Sequence, residues 1–289
     1  MGAMASREQT QTMVCYRHSK TETAVTCSSC ERPICTECMA FGSVGIKCPE
    51  CSGQATGVAR ATTRARTSVG LATGAIVTKA LIAMNLAVYL VQISQGDIRG
   101  LASDAFTNGA LFGPAVADGE WWRLVTAAFL HAGPIHLLFN MLMLWWFGGP
   151  LEELLGRGRF LAVYGISILA GSAGALLVRP EDATVGASGA VFGILGAGLI
   201  LERRGINVFG GAALMVVLLN IALSFAIPNI SIGGHLGGLA GGALVILALT
   251  RFGRGHAAYS RLNVISVAGL VAVAVASVAI AYARVRGYA

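Results

Sequence analysis

Charged side chains are scarce in this sequence. Only 12% of the 289 residues are Asp, Glu, Lys or Arg, whereas 55% are hydrophobic. A soluble globular domain carries about twice that charged share. From Val77 onward, long apolar blocks alternate with short charged stretches, which is typical of a polytopic membrane protein. The formal net charge of +7 therefore requires no nucleic-acid partner, because basic loops facing anionic lipid and the cytosol account for it.

Cysteine is also missing from most of the chain. All seven cysteines lie between Cys15 and Cys51, and this confinement predicts a separate module at residues 1–52. No signal peptide is evident, because about seventy polar or mixed residues precede the first apolar block. Residues 53–75 are small, polar and basic, so they predict a flexible linker. The linker has no interleaved aromatic residues, which argues against nucleic-acid binding.

The N-terminal module contains four pairs of metal-ligand residues, each pair separated by two other residues: Cys15/His18, Cys27/Cys30, Cys35/Cys38 and Cys48/Cys51. Eight such ligands are enough for two structural zinc ions. A disulfide framework is the alternative, but the predicted cytosolic location is reducing and a histidine completes the odd cysteine count. The short gap between the second and third pairs favours an interleaved arrangement, with pairs one and three on one ion and pairs two and four on the other.

Seven apolar segments follow the linker and predict an all-α polytopic fold. They lie near residues 76–93, 134–149, 160–178, 188–201, 208–227, 235–250 and 263–282. The loop at 94–123 is too long and too aromatic for a plain connector, so we expect an interfacial structure there. Residues 76–250 are predicted to form the core, and residues 251–289 a cytosolic loop, a seventh transmembrane helix and a tail.

Lysine and arginine are distributed unevenly between the two sets of segment flanks. The set that includes the linker holds eleven, and the alternate set holds five. Because cytoplasmic loops carry the excess of basic residues, we expect a cytosolic N-terminus and an extracytoplasmic C-terminus. The high Ala and Gly content suggests a bacterial protein, and hence a bacterial plasma membrane as its location.

A few polar residues remain in the apolar segments, where a polar side chain needs a partner or a wet cavity, and the relevant ones are His136, Asn140, Ser188 and His235. Depth is counted at 1.5 Å per residue from the charges that end each segment on the cytosolic side. Ser188 lies about 21 Å and His235 about 24 Å from that level, and the other two about 24 and about 18 Å. A hydrocarbon core of about 30 Å places all four at one level, which predicts a single site open to external water.

Ser188 and His235 have the chemistry of a nucleophile and its base. A serine hydroxyl needs an adjacent base at neutral pH, and His235 is the candidate at that depth. The segments contain no Asp or Glu to orient the imidazole, so we expect a Ser–His dyad in which packing, including the Phe192 ring, fixes His235. The alternative is that Ser188 serves only close helix packing.

Attack on a carbonyl creates an oxyanion that needs preorganised donors. The candidates are the Asn140 amide, the His136 ring and the Ser188 backbone N–H, which lies at the start of a helix. His136 and Asn140 are four residues apart and so share one helix face. Gly238 and Gly242 follow His235 at a small-xxx-small spacing, which predicts a close approach to the serine helix.

Over residues 77–282 the chain resembles a rhomboid intramembrane serine protease. The matching stretches are Trp122 with Arg123, HAGPIHLLFNM, GGPLEELLGRGRF, GASGAVFG and HLGGLAGG, in this order. The resemblance implies a six-helix catalytic core, here followed by one extra helix (6+1), that cleaves single-pass transmembrane substrates without a catalytic cofactor.

By motif match, Ser188 would be the nucleophile and His235 the base, and His136 and Asn140 would line the oxyanion site. His131 matches a further family histidine. The family often has Tyr where this chain has Phe192, so ring stacking is kept and a hydroxyl is lost. The N-terminal module resembles a cross-braced zinc finger of the B-box or RING kind, which implies a regulatory role or a cytosolic protein partner; a purely structural appendage is the alternative.

Two other functions are alternatives to that of an intramembrane serine endopeptidase. A catalytically silent rhomboid-like protein would be expected to lack the motif Ser or His, and both are present. A transporter or channel would carry acidic residues or broken helices along a path to both sides, whereas the polar groups here occupy only the outer half.

Overall fold

The structure is a computed structural model that describes residues 13–41, 45–52, 74–228, 230–251 and 264–288. The chain divides into two compact units, Met1–Val69 and Gly70–Ala289. Most of the predicted linker at 53–75 and most of the predicted cytosolic loop that begins at 251 lie outside the described residues.

The first unit is built from two small antiparallel hairpins. Strand β1 (Met13–Val14) pairs with β2 (Glu22–Thr23), and β3 (Ala40–Phe41) pairs with β4 (Ile46–Lys47). Ile34 is fully buried among the side chains of five buried cysteines. One isoleucine and a few thiols bury far too little apolar surface to hold a fold by themselves, so this unit needs another source of stability.

The second unit is helical. Its helices are α1 (Ile76–Gln95), α2 (Asp104–Gly109), α3 (Gly113–Ala117), α4 (Arg123–Thr126), α5 (Pro134–Met143), α6 (Gly149–Leu155), α7 (Arg157–Val178), α8 (Ser188–Arg203), α9 (Ala213–Ala226), α10 (Ile232–Arg251) and α11 (Val264–Val285). A π-helical stretch, Leu144–Gly148, joins α5 to α6 without a break. All seven predicted apolar segments contain a helix.

Length and composition identify the candidate membrane spans. Helices α1, α7, α10 and α11 are long and apolar enough to cross a membrane, and Arg123–Phe129 with Pro134–Leu155, bent by 94°, makes a fifth if that pair is one span. Helices α8 and α9, with 16 and 14 residues, fall below the length of these spans. The chain is therefore a mostly helical, polytopic membrane protein.

Helix α10 lies between α7 and α8, with backbone against backbone. A Cβ atom added at Gly238 or Gly242 would lie 1.9 Å from a carbonyl oxygen of α8, and one added at Gly237 would lie 2.3 Å from the Ala170 oxygen of α7. Such distances leave no room for any side chain. The predicted close approach of the His235 helix to the serine helix is thus confirmed.

Two carboxylates fix the beginnings of helices. The Glu152 side chain accepts hydrogen bonds from the backbone N–H groups of Val77 and Thr78 at 2.9 and 2.7 Å, at the start of α1. Glu202 likewise accepts from three backbone N–H groups, including that of Ala213 at 3.0 Å. Unpaired N–H groups at a helix start favour such negative charge.

The structure corrects the predicted start of the fifth apolar segment, and the Glu202 contacts explain the difference. The segment predicted at 208–227 is helical only over Ala213–Ala226. Residues before Ala213 form turns, in which Gly210 and Gly211 have φ values of +72° and +83°. The turn directs N–H groups at the Glu202 carboxylate, and a run of apolar residues alone does not reveal that arrangement.

The long loop after α1 is ordered and contains α2, α3 and α4. Arg123 is almost fully buried there and donates from Nε to Glu120 at 2.6 Å and from Nη1 to the Ala110 carbonyl at 2.8 Å. Trp122 Nε1 donates to the Asn108 carbonyl at 2.9 Å. These side chains of the WWR stretch hold the loop in one shape.

Candidate active site

The turn that leads into α8 is tied to the long loop by backbone hydrogen bonds. Leu111 and Thr184 exchange two of them, at 3.0 and 2.9 Å, and the Gly186 N–H donates to the Ala127 carbonyl at 2.9 Å. Helix α8 then begins at Ser188, as predicted. These three backbone hydrogen bonds therefore help to fix the position of the turn that precedes Ser188.

His136 lies directly against this turn. A Cβ atom at Gly186 would be 2.7 Å from His136 Cε1 and 2.8 Å from Nε2, and Gly186 has a φ of +125°. Only glycine satisfies both requirements, because other residues carry the Cβ and rarely adopt that φ. The glycine lets the His136 ring approach the backbone two residues before Ser188.

The hydrogen bonds of His136 define its tautomer. Its Nδ1 accepts from the Ala132 backbone N–H at 3.3 Å. A backbone N–H can only donate, so Nδ1 is unprotonated in the neutral ring and the proton is on Nε2. That Nε2–H is therefore a donor, and it is the nitrogen that lies beside Gly186.

Asn140 is one helical turn further along α5 and is buried. Its Nδ2 donates to the His136 carbonyl at 2.9 Å and lies 3.8 Å from the Cβ position of Gly186. An amide nitrogen has two hydrogens, so one remains available beside the serine turn. The structure thus brings His136 and Asn140 together next to the residues that precede Ser188.

His235 is 8% exposed and stacks on Phe192, with ring centroids 4.1 Å apart and an interplanar angle of 17°. Phe192 is one turn after Ser188 in α8. The neighbouring backbone is also in contact, because the Gly234 carbonyl lies 3.5 Å from the Cβ position of Gly189. The residues next to the predicted nucleophile therefore pack against those next to the predicted base.

In the described residues, the hydrogen bond of the His235 ring goes to Ser224 rather than to Ser188. Its Nδ1 lies 2.6 Å from the Ser224 Oγ of α9. Catalytic hydrogen bonds are often long before substrate binds and shorten in the substrate complex. The sequence analysis missed Ser224. The sequence signal that could have indicated this contact is the short connection at 227–231, which makes α9 and α10 neighbours.

His131 is fully buried, and its ring centroid is 5.2 Å from that of His136. Within the described part of the chain, neither ring nitrogen has a hydrogen-bond partner. Its backbone is held by the Gln92 side chain, with bonds of 2.9 and 3.2 Å. His131 therefore packs behind His136, and these contacts assign it no further role.

A cavity of about 30 Å³ adjoins Ser188. Its lining combines small apolar residues with the polar side chains of Ser172, Thr184, Ser188 and Ser231. A space of this size with polar groups around it can hold a water molecule. Ser188 itself is half-buried, so its hydroxyl is within reach of that space.

The eight predicted metal ligands form two groups in the first unit: Cys15, His18, Cys35 and Cys38 in one, and Cys27, Cys30, Cys48 and Cys51 in the other. Within each group all ligand atoms lie within 4.8 Å of one another. This is the interleaved grouping, and all seven cysteines are free thiols. Zn–S bonds of about 2.3 Å at tetrahedral angles place sulfurs about 3.8 Å apart, so both groups fit a zinc ion.

The thiol pKa values within each group diverge. Burial raises the pKa of Cys27, but backbone hydrogen bonds from Cys48, Ser29 and Cys30 lower it to about 6 overall. Side-chain hydrogen bonds with Cys48 and Cys30, together with burial, raise the pKa of Cys51 to about 12. Like charges this close oppose one another, so all the sulfurs ionise together only around a cation.

The structure describes a polytopic helical membrane protein in which the helices that carry Ser188 and His235 pack against each other. Residues 118–252 match the rhomboid domain. YdcA of Bacillus subtilis (strain 168) is 44% identical over 135 residues, which cover 45% of this chain and 68% of YdcA. The chain therefore belongs to the rhomboid family.

Other relatives match over smaller parts of their length. The rhomboid protease GluP of Bacillus subtilis (strain 168) is 38% identical over 168 residues, 57% of this chain and 32% of GluP. RHOMBOID-like protein 5 of Arabidopsis thaliana is 40% identical over 151 residues, 50% of this chain and 49% of the relative. The chain thus spans about a third of GluP and half of the plant protein.

Proposed function

We propose that this chain is an intramembrane serine endopeptidase in which Ser188 is the nucleophile and His235 the base. One observation carries the proposal: the His235 ring stacks on Phe192, one turn below Ser188, where the glycine backbones of α8 and α10 meet. The site reaches this geometry with no charged group in either helix near the two residues, as suits a reaction inside the membrane.

The proposed reaction begins with attack of Ser188 Oγ on the scissile carbonyl carbon, and the serine proton passes to His235 Nε2. The negative oxygen that forms accepts hydrogen bonds from His136 Nε2, Asn140 Nδ2 and the Ser188 backbone N–H. His235 then protonates the leaving amine, which breaks the C–N bond. A water molecule attacks the acyl group while His235 takes its proton, and His235 then returns that proton to Ser188 Oγ as the acyl–oxygen bond breaks.

Within the same proposal, the core has six transmembrane helices, with α8 and α9 as short spans, and α11 is the additional seventh. The N-terminus is cytosolic and the C-terminus extracytoplasmic, an orientation that the excess of basic residues in one set of flanks supports. The membrane is the plasma membrane of a bacterium, which the high Ala and Gly content supports. The substrates are single-pass transmembrane proteins cut near the level of Ser188, as proposed by analogy with the family.

The test is cleavage of model transmembrane substrates by purified variants. We expect Ser188→Ala and His235→Ala to reduce cleavage by at least about 10³-fold, because the nucleophile or its base is lost. Ser277→Ala is a matched control, since the buried Ser277 hydroxyl donates only to the Val273 carbonyl of its own helix, at 2.8 Å. This control should cleave like the unmodified chain.

A serine-reactive phosphonate gives a second readout. It should label Ser188 when His235 is present and fail to label the His235→Ala variant. Cleavage that persists in purified Ser188→Ala would refute the protease assignment. A folded protein that binds transmembrane clients but never cleaves would favour the silent rhomboid-like alternative instead.

We further propose that the first unit binds two zinc ions, one in each group of four ligands. The short distances within each group support this, for example 3.1 Å from His18 Nδ1 to Cys35 Sγ and 3.6 Å between the sulfurs of Cys30 and Cys48. Metal analysis of the purified chain should give two zinc ions per chain, and one after Cys35→Ser with Cys38→Ser. A chain purified with no bound zinc would contradict the proposal.

The proposed role of the zinc module is to bind a cytosolic protein or regulate the protease. The same double variant tests that role, because its ligands are far in sequence from every proposed catalytic residue. Altered cleavage, location or captured partners would support the role. Unchanged behaviour on all three measures would reduce the module to a structural appendage.

A further inference from the structure

Ser224 makes two short hydrogen bonds at the base of the candidate site. Its Oγ lies 2.6 Å from His235 Nδ1 and 2.7 Å from the Asn220 carbonyl oxygen. Ser224 is 4% exposed, so no bulk water competes for these contacts. Within the part of the chain that the structure describes, no carboxylate contacts the His235 ring.

The single hydroxyl proton of Ser224 decides the direction of both bonds. A carbonyl oxygen can only accept, so the contact with Asn220 is a hydrogen bond only if Ser224 donates to it. The Ser224 oxygen is then left as an acceptor toward His235. The ring must therefore donate from Nδ1, and in the neutral imidazole Nε2 is unprotonated.

We propose that Ser224 is a positioning residue that holds His235 as the Nδ1–H tautomer, so that Nε2 is free to take the proton of Ser188. This inference rests on the proposed protease function. Ser224 does for His235 what a buried carboxylate does for the histidine of a serine triad: it fixes the tautomer and the ring plane. Phe192 supports the ring face, and Ser224 supports the ring edge.

The inference also connects the base to α9. Only Ala213, Val217 and Ser224 of that helix are buried, and Ser224 is the one of the three that contacts His235. The orientation of the imidazole thus depends on a hydroxyl carried by a helix with little other anchoring. Packing alone, which the sequence predicted, is not the whole support of the ring.

Kinetics of Ser224→Ala and Ser224→Thr test the inference. Removing the second-shell partner of a metal-binding histidine lowers activity by about 10- to 100-fold, and we expect a loss of the same order in kcat for Ser224→Ala, with KM nearly unchanged. Threonine can make the same two hydrogen bonds, so Ser224→Thr should recover most of the lost turnover. Ser277→Ala again serves as the control for removal of a buried helix hydroxyl.

A second measurement reports the tautomer without activity. Nitrogen-15 NMR of the histidine rings, in the Ser188→Ala background, should show His235 protonated at Nδ1, with the signal assigned by loss in Ser188→Ala/His235→Ala. Adding Ser224→Ala should produce a mixture of tautomers, and adding Ser224→Thr should not.

The outcomes separate the two proposals. An Nε2–H tautomer of His235 with Ser224 intact would overturn the inference, even if Ser224→Ala fails to fold. So would an unchanged tautomer or undiminished kcat in a folded Ser224→Ala protein. A confirmed tautomer shift in a chain that never cleaves would instead reject the protease function and keep the Ser224–His235 contact.

Discussion

Each of the two units of this chain is stabilised internally, and the means of stabilisation differ between them. In the first unit, strands of two residues surround Ile34 and a set of cysteine sulfurs, and the zinc ions proposed for the two ligand groups would supply the stability that the small apolar core cannot. In the second unit, helices touch through glycines, because lipid is as apolar as leucine and hydrophobic burial does not drive helix association there. With the proposed zinc ions bound, the first unit depends on added ions, whereas the second depends on the absence of side chains at its glycines.

The difference shows where each unit is vulnerable. A fold that relies on metal ligands is lost at once when the ion leaves, whereas a fold that relies on close backbone contact is damaged locally by an added methyl group. Three experiments, ordered by expected effect, sharpen this contrast.

Removal of zinc should have the largest effect. Apparent binding energies of about 10–16 kcal/mol per structural zinc exceed the stability of a small domain, so a strong chelator should unfold residues 13–52. Limited proteolysis of the full chain, read by mass spectrometry, should show new cuts there only. The unfolding transition of the second unit should not move, because it provides none of the eight ligands. A lowered transition would show that the two units depend on each other.

Gly242→Ala should have the next largest effect. The new Cβ would lie 1.9 Å from the Gly193 carbonyl oxygen, so α8 and α10 must separate. Overpacking costs about 1–3 kcal/mol, and a shift of about 1 Å at a catalytic site costs roughly 100-fold in rate. We expect a lower free energy of unfolding in detergent and a lower rate in the cleavage assay.

Gly165→Ala is the matched control for the glycine prediction. Gly165 lies in α7 with no atom within 4 Å of its Cβ position. Alanine there should leave cleavage intact and stabilise the helix by about 0.5–1 kcal/mol. Equal effects of the two substitutions would contradict the view that close backbone contact holds the second unit.

Glu152→Gln should have the smallest effect of the three. Glu152 is buried and accepts three hydrogen bonds at the start of α1, from two backbone N–H groups and the Thr78 hydroxyl. Hydrogen bonds to a charged group are worth about 1.5–3 kcal/mol, so the neutral amide should lower the free energy of unfolding by roughly 1–3 kcal/mol. Glu153→Gln, at an exposed neighbour, should change it little. The reverse ranking would contradict a capping role for Glu152.

Much of this fold follows from periodic or composition-level signals. Apolar runs predicted the helices, and the two-residue spacers of the cysteine pairs predicted ligand groups, because both depend on neighbours in sequence. The depth count likewise indicated that Ser188, His235, His136 and Asn140 belong to one level. The structure brings His136 and Asn140 to the serine turn and stacks His235 one turn below it.

The details that the sequence did not reveal depend on contacts between distant residues. In the sequence, Glu152 is only a charged residue at the end of a span. In the structure its carboxylate accepts hydrogen bonds from Val77 and Thr78, which lie 75 and 74 positions earlier in the chain. In the sequence, Ser224 is one small residue within an apolar run. In the structure the chain turns back after α9 and Ser224 contacts His235. Single polar atoms of this kind carry no periodic signal, so composition and spacing cannot assign their partners.

Backbone hydrogen bonds join the turn before Ser188 to the chain between α1 and α5, between Leu111 and Thr184 and between Ala127 and Gly186. At Leu111, Thr184 and Ala127 such bonds do not depend on the identity of the side chain, whereas Gly186 must remain glycine because of its φ of +125° and the adjacent His136 ring. Proline is the exception, since it has no N–H to donate. Leu111→Pro or Thr184→Pro would therefore remove one of the hydrogen bonds that hold the turn before Ser188.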